Sequence, residues 1–373
     1  MARTKKNAGT LEGAKPPSMP TNEEIYVDIM DYMDDDYPFQ IFVGCRGMGK
    51  TYSGLKGLSG RARESGFKRK FIYSRRTQDQ LDSITDGVDG EGMNPFKRLN
   101  ADMGTDIGFH TLKKKITLIS DRYREEDGSI RYAPESYGYG IAMKSVASIT
   151  GLDASDCDDW FYDEFIRQRH EPSFSGEFDA IMGAYETFNR NREFDGSPAM
   201  RFWAVSNAVD IYNVLFKGLH LVHDAERMAA SGKQHRYYKD RRLAIHLMKP
   251  TESFRQMKAK TALAQLTKGT DYYDMAFNND FAYNDFSLIK YQPLTGYRPY
   301  AALDEAYIYC KKGEERYYVC YAKCKCERFN SKLRQDVMSF QRNYGVRLVN
   351  PFRDGRIYFE SYELKELILG VIL

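Results

Sequence analysis

Eight consecutive residues constrain this chain more than any other feature: Gly44-Cys-Arg-Gly-Met-Gly49-Lys50-Thr51. They fit G-x-x-x-x-G-K-[ST] without a mismatch. The preceding run Phe39-Gln-Ile-Phe-Val43 reads as a short strand, and Thr51–Glu64 is compatible with a helix. A glycine turn between a strand and a helix lets backbone N–H groups curl inward around phosphate oxygens, aided by the field of the helix N-terminus. Gly44, Gly47 and Gly49 permit that curl. Lys50 is then the cation for the β- and γ-phosphates, and the Thr51 hydroxyl a ligand for Mg²⁺. Lys70-Phe-Ile-Tyr-Ser74 is a second strand, so the segment is a βαβ unit of a parallel sheet.

The matching half is Trp160-Phe-Tyr-Asp163-Glu164. Three bulky residues make a buried strand that delivers two carboxylates at its C-terminal end, where α/β sheets bind ligands. Asp163 is expected to hold Mg²⁺ and Glu164 to polarise an attacking water, which points to hydrolysis of ATP. Arg46, inside the phosphate loop, either pairs with Glu164 in one nucleotide state or meets phosphate or solvent. Met200–Val205 reads as a further strand, and Ser206-Asn207 ends it. Asn207 is a candidate sensor of the γ-phosphate, or simply part of a turn. Arg190 and Arg192 follow a helix over Phe178–Phe188 and are either trans arginines for a neighbour's nucleotide or solvated surface.

Composition narrows the class. Of the 373 residues, 42% are hydrophobic and 29% charged, which excludes a disordered tail protein. No apolar run approaches the ~18 residues of a membrane span. Met1–Pro20 is basic and polar, unlike a secretory signal, and the six cysteines are irregularly placed. A soluble intracellular protein is expected. The formal net charge of +3 hides an asymmetry: residues 22–210 carry a net −9, and those from Ile211 onward a net +9. Contact with a polyanion would come from the basic regions.

The expected organisation is a flexible basic arm over 1–21, a P-loop domain over 22–250, a helical linker over 251–283 and a β-rich C-terminal unit over 284–373. Within the P-loop domain, Glu23–Met33 reads as a helix. Thr111–Ser120 and Ile130–Met143 read as a hairpin about Asp127-Gly128, and Leu243–Met248 as a fifth strand. In the C-terminal unit, Tyr300–Tyr309 and Arg316–Lys325 flank the turn at Lys312-Gly313. Lys311, Lys312, Lys323, Lys325 and Arg328, with Tyr317, Tyr318 and Tyr321 between them, suit either phosphate contacts or a lysine-protected sheet edge.

Several of these segments resemble one family: Phe42–Tyr52 around the phosphate loop, Phe71-Ile-Tyr-Ser-Arg-Arg76, Phe161–Arg167, Arg190-Asn-Arg-Glu193 and Val205-Ser-Asn-Ala-Val209. In order and spacing over Phe39–Val209 they look like the DNA-packaging ATPases of phi-29-like tailed phages. The resemblance implies an ASCE-type (RecA-like) P-loop α/β sandwich of the large-terminase kind, followed by a small α+β domain of degenerate RNase H type. It implies a homo-oligomeric ring, expected to be a pentamer, docked from the host cytoplasm on the portal of an empty prohead. Such a ring drives double-stranded DNA inward, in some systems with a structural RNA. By motif position Lys50 and Thr51 bind ATP and Mg²⁺, and Asp163 and Glu164 are the metal and catalytic carboxylates. Arg46 is the loop arginine that switches Glu164, Arg190 the trans arginine and Asn207 the coupling residue. Two departures stand out. Gln78 occupies a position where the family tends to carry lysine, and the loop Ile149–Asp159 is acidic. No compact acidic cluster appears in the C-terminal unit, so nuclease activity is not expected. A helicase or recombinase without a capsid, and a non-enzymatic nucleic-acid-binding assembly protein, are the competing classes.

Overall fold

The computed structural model describes residues 25–85, 93–111, 117–149, 153–168, 171, 174, 176–270, 273 and 284–373. The basic arm expected over 1–21 and most of the stretch 271–283 lie outside these residues.

A ten-stranded sheet organises the first part of the chain. Its strands are β1 (Phe39–Gly44), β2 (Lys70–Arg75), β3 (Ile107–Thr111), β4 (Thr117–Arg124), β5 (Ile130–Tyr132), β6 (Gly138–Ala142), β7 (Cys157–Asp163), β8 (Arg201–Asn207), β9 (His235–Tyr238) and β10 (Leu243–Met248). The order is β3-β4-β6-β2-β7-β8-β1-β10-β9, with β5 paired to β4. From β6 through β10 every neighbouring pair is parallel. β8 thus separates the phosphate-loop strand β1 from the carboxylate strand β7, the ASCE arrangement expected from the sequence.

Strands buried on both faces read as unbroken apolar runs. β7 shows why. Trp160 and Tyr162 pack into the core on one face, Phe161 into the core on the other, and all three are fully buried. Each such ring contributes roughly 2–3 kcal/mol by leaving water. Helix α1 (Lys50–Glu64) covers the Phe161 side through Leu55, Leu58 and Ala62. Its approach is close: a Cβ on Gly54 would lie 2.4 Å from Phe161 Cε2. Helices α2 (Glu177–Asn189) and α3 (Val222–Ser231) cover the opposite face. Beneath the sheet, Arg201 grips Asp159 with two bonds of 2.7 and 2.9 Å, and Trp203 Nε1 donates to the same carboxylate at 2.9 Å.

Local expectations change: Thr111–Ser120 is not one strand, since Thr111 ends β3 and pairs with Thr117 at the start of β4. The described part of Glu23–Met33 is not one α-helix: the helix does not continue past Ile25, and Ile29–Tyr32 forms a separate short 3₁₀ turn. Its backbone is committed elsewhere: Val27 N donates to Met48 O at 2.9 Å. The segment Ile130–Met143 divides into β5 and β6 across residues 133–137, where Pro134 breaks the ladder, and Gly138 then passes close to Phe71 as β6 pairs with β2.

After β10 come helices α4 (Glu252–Ala259) and α5 (Ala262–Thr267), capped by Thr251 and Thr261. A second sheet follows, of β11 (Tyr297–Leu303), β12 (Ala306–Lys311), β13 (Tyr317–Cys320), β14 (Arg328–Phe329) and β15 (Ile357–Phe359). Its order is β14-β11-β12-β13-β15, with β11, β12 and β13 antiparallel and the two edges parallel to their neighbours. Tyr300–Tyr309 is therefore two strands, turned at Asp304, whose φ is +50°. Tyr317 and Tyr318 are buried on β13, so they are core residues and do not interleave with the lysines. The C-terminal helix α6 (Tyr362–Ile372), capped by Ser361, joins the two sheets: Tyr362 packs into the core of the first, and Leu364 and Ile368 into that of the second. Asn284 adds a polar tie, accepting from Ile211 N at 3.0 Å and donating to Asp210 at 2.8 Å.

Candidate nucleotide site

The loop between β1 and α1 turns through Gly47 (φ +83°) and Gly49 (φ +102°). An L side chain is strained at either φ, so only glycine serves there cheaply. Lys50 opens α1 and its ammonium bends back over the loop, donating to Gly44 O at 2.9 Å and Cys45 O at 2.8 Å. It is 5% exposed, and burial pushes its pKa down to about 8. Thr51 Oγ1 donates to Asp163 Oδ1 at 3.0 Å. The loop and the end of β7 therefore meet, as Mg²⁺ coordination requires. A hydroxyl and a buried carboxylate at this separation are hard oxygen donors that suit the ion.

Asp163 is held from two more sides. Tyr73 OH donates to Oδ2 at 3.0 Å, and Arg75 Nη2 lies 3.1 Å from the same oxygen. The other Arg75 amino group lies 3.0 Å from Glu164 Oε2, and its Nε donates to Tyr73 OH at 2.7 Å. Burial disfavours the Arg75 charge, but Tyr73, Asp163 and Glu164 more than offset this and hold its pKa above the ordinary arginine value. Glu164 itself sits at φ +55°, rare for a side chain with a Cβ, and its N–H donates to Val205 O at 2.7 Å. That backbone turn projects the carboxylate beyond the strand.

Comparison with known proteins bears on the fold and the family. The family described as Podovirus DNA encapsidation protein (Gp16) matches residues 128–294. A DNA packaging protein of Bacillus phage B103 is 28% identical over 240 residues, 64% of this chain and 63% of that relative. The matched stretch thus spans less than two thirds of the B103 protein. The bacteriophage phi-29 viral genome packaging motor assembly contains a chain of the same fold, at TM-score 0.62 and 18% identity, covering 93% of this chain and 98% of its own. The phi-28 gp11 DNA packaging motor matches at TM-score 0.56 and 17% identity, covering 95% and 98%. The resemblance is to phage DNA-packaging proteins. It is the family read from the phosphate loop, Asp163-Glu164 and the Arg190 segment.

Against that resemblance the remaining candidates can be placed. Asn207 is the register partner of Gly44, and Ala208 N donates to Gly44 O at 3.1 Å, so the end of β8 lies directly beside the loop. Arg46 makes no ion pair with Glu164 in this structure. It is exposed at the loop tip, and the guanidinium on Glu164 is that of Arg75. The reason is strand order: β2 neighbours β7, with Ser74 opposite Tyr162, so Arg75 emerges beside Asp163. Arg46 stands at the outer tip of the loop, where its carbonyl accepts from Lys258. Arg190 lies at the far end of the sheet from these carboxylates. It is 3.5 Å from Asp153, and Arg192 donates to Cys157 O at 2.7 Å, at the start of β7. The length of β7 puts roughly 20 Å between that end and Asp163.

Sequence reasoning missed Arg75 and Tyr73 as site residues, although Arg75-Arg76 was part of the resemblance. The alternation of β2 was the available signal. Arg75 faces the carboxylates, whereas Arg76 faces away and is fixed, fully buried, on Glu177 at 2.8 and 3.0 Å.

Proposed function

We propose that this chain is the ATP-hydrolysing subunit of a phage DNA-packaging motor. The observation that carries the reading is the meeting of Thr51 with Asp163 at 3.0 Å, with Glu164 next in sequence. Lys50 and the loop amides would bind the triphosphate, released from or shared with the Gly44 and Cys45 carbonyls. Thr51 and Asp163 would hold Mg²⁺, which neutralises charge on the β- and γ-phosphates. Glu164 would accept the proton of the attacking water. Asn207 would sense the γ-phosphate beside the loop, and Arg190 would act on a neighbour's nucleotide, consistent with its distance from its own carboxylates. Arg46 is left to phosphate or solvent.

The partners follow from the resemblance: double-stranded DNA, a prohead portal, further copies of this chain in a ring taken as a pentamer, and a structural RNA where one is used. The division into a P-loop domain over 22–250, a linker over 251–283 and a DNA- or portal-binding unit over 284–373 belongs to the same proposal. No helix among the described residues is long and apolar enough to cross a membrane, in keeping with a motor that works from the host cytoplasm.

The test is a pair of variants. Lys50→Ala should lose nucleotide affinity, whereas Glu164→Gln should bind ATP and lose turnover. Equal loss of binding in both would remove Glu164 from the chemistry. Absence of ATP turnover in the wild-type protein supplied with proheads and DNA would remove the ATPase reading altogether.

A further inference from the structure

The outer side of the phosphate loop is held by segments far away in sequence. Lys258, on α4, donates its ammonium to Arg46 O at 2.6 Å. The same ammonium lies 5.1 Å from the centre of the Phe254 ring. Phe254 is 7% exposed and packs under the loop, where a Cβ on Gly47 would meet its Cζ at 3.9 Å. Thr251 caps α4 by accepting from Phe254 N at 3.1 Å, and its hydroxyl donates to Ile25 O at 2.8 Å. Val27 N takes the Met48 carbonyl and Lys50 those of Gly44 and Cys45. Four loop carbonyls therefore have donors, and one of those donors comes from the linker.

The consequence follows from peptide geometry. Arg46 C=O and Gly47 N–H belong to one peptide unit, and the chain contains no cis bond among the described residues. In a planar trans unit the two groups point opposite ways. A donor that fixes the Arg46 carbonyl outward therefore turns the Gly47 N–H inward, where the phosphate cradle forms. We propose that Lys258 is a positioning residue for the phosphate loop, and that through it nucleotide affinity is tied to the docking of the linker helix α4. The proposal rests on the ATP-binding reading above. It adds a lysine at the loop that comes from helix α4.

Coupling of this kind is reciprocal. If the docked helix favours nucleotide, nucleotide must favour the docked helix. Both directions can be measured on the full chain. Lys258→Met keeps the apolar stem over Phe254 and removes the donor, while Lys258→Arg restores a donor. A fluorescent ATP analogue should bind Lys258→Met roughly tenfold more weakly, the scale of one charge-assisted hydrogen bond, and Lys258→Arg should recover most of the loss. ADP should show the same loss, because the cradle and not the γ-phosphate is affected. In the wild type the analogue should slow amide hydrogen exchange over residues 252–259, and Lys258→Met should abolish that slowing while its nucleotide-free melting temperature stays within a few degrees.

Unchanged affinity in Lys258→Met would overturn the proposal and leave the ATP site intact, provided Lys50→Ala fails to bind. Should the variant not fold, the wild-type exchange experiment decides alone: an analogue that binds without altering exchange over 252–259 overturns the coupling. A wild type that binds no nucleotide overturns the ATP reading itself.

Discussion

Arg75 is the side chain on which the two carboxylates of the candidate site converge, so its removal should be felt in stability and in turnover for different reasons. The Asp163 side chain is 2% exposed, and Arg75 is 14% exposed. Removing one member of a buried ion pair leaves the other charge uncompensated, at a cost of about 3–5 kcal/mol. Tyr73 and Thr51 still donate to Asp163, which favours the lower end of that range. Glu164 is 39% exposed, so solvent screens its half of the contact to at most about 1 kcal/mol. The stability effect of Arg75→Met should therefore come almost wholly from Asp163. At roughly 2–4 °C per kcal/mol for a domain of 150–250 residues, ~3 kcal/mol lowers the melting temperature by about 6–12 °C. A double-mutant cycle with Asp163→Asn separates the pair from the packing. The double variant should lose about 2 kcal/mol less than the two single losses combined, because neither charge is then left alone. Turnover supplies the second readout. Arg75 also holds Glu164 Oε2 at 3.0 Å, so releasing that contact should free the carboxylate to meet an attacking water, and DNA-independent ATP hydrolysis should rise a few-fold in Arg75→Met once substrate saturates. Additive losses in the cycle would refute the Asp163 argument. Unstimulated turnover at or below the wild-type level in folded, ATP-bound Arg75→Met would refute the Glu164 one.

Three other outcomes are expected. Burial lowers the Lys50 pKa to about 8, and bound phosphate must raise it again, so above about pH 8 binding has to take up a proton; ATP affinity measured by titration should fall by up to tenfold per pH unit there, and Lys50→Ala should lack that slope. Arg190→Ala and Glu164→Gln proteins should each be nearly inactive, while rings mixed from the two should recover measurable ATPase activity at interfaces that pair Glu164 of one copy with Arg190 of another; no recovery in rings shown to be mixed would make Arg190 a surface residue and Arg192 the next to try. His246, stacked on Phe42 at 4.5 Å and 2.9 Å from His235, has its pKa lowered to about 3 by burial and by His235. Its folded pKa lies below the unfolded one, so its contribution is complete above about pH 6.5 and is lost by about 1.4 kcal/mol per pH unit as the pH falls toward 3; melting curves between pH 7.5 and 4.5 should flatten in His246→Leu, and an unchanged slope would exclude the histidine as the cause.

How far such a site can be read from sequence depends on whether its parts are local. The phosphate loop is local. Eight residues carry its turn, its cation and its metal hydroxyl, and β1 and α1 stand where that run requires. The carboxylate strand was legible for a similar reason: Trp160-Phe-Tyr162 is apolar on both faces, as a central parallel strand must be. Loops and strand ends were less legible. Ile130–Met143 and Tyr300–Tyr309 each read as one strand, yet each holds a local breaker, Ala133-Pro-Glu-Ser136 in the first and Asp304-Glu305 in the second, and the chain leaves the strand there. The choice between Arg46 and Arg75 as partner of Glu164 is the sharpest case. By motif position Arg46 is the nearer candidate, because it lies in the loop that binds phosphate. Strand order reverses this. β2 is the immediate neighbour of β7, so Arg75 leaves it beside both carboxylates, whereas Arg46 stands exposed at the loop tip. Lys258 is 212 residues from the carbonyl it holds, beyond any local pattern. The phosphate loop is thus specified by a contiguous motif, while the residues that brace it and the carboxylates are specified by the sheet order and by helix α4. Variation in the braces can therefore retune a site whose motif stays the same, and in this chain the braces are Arg75 on the carboxylates and Lys258 on the loop.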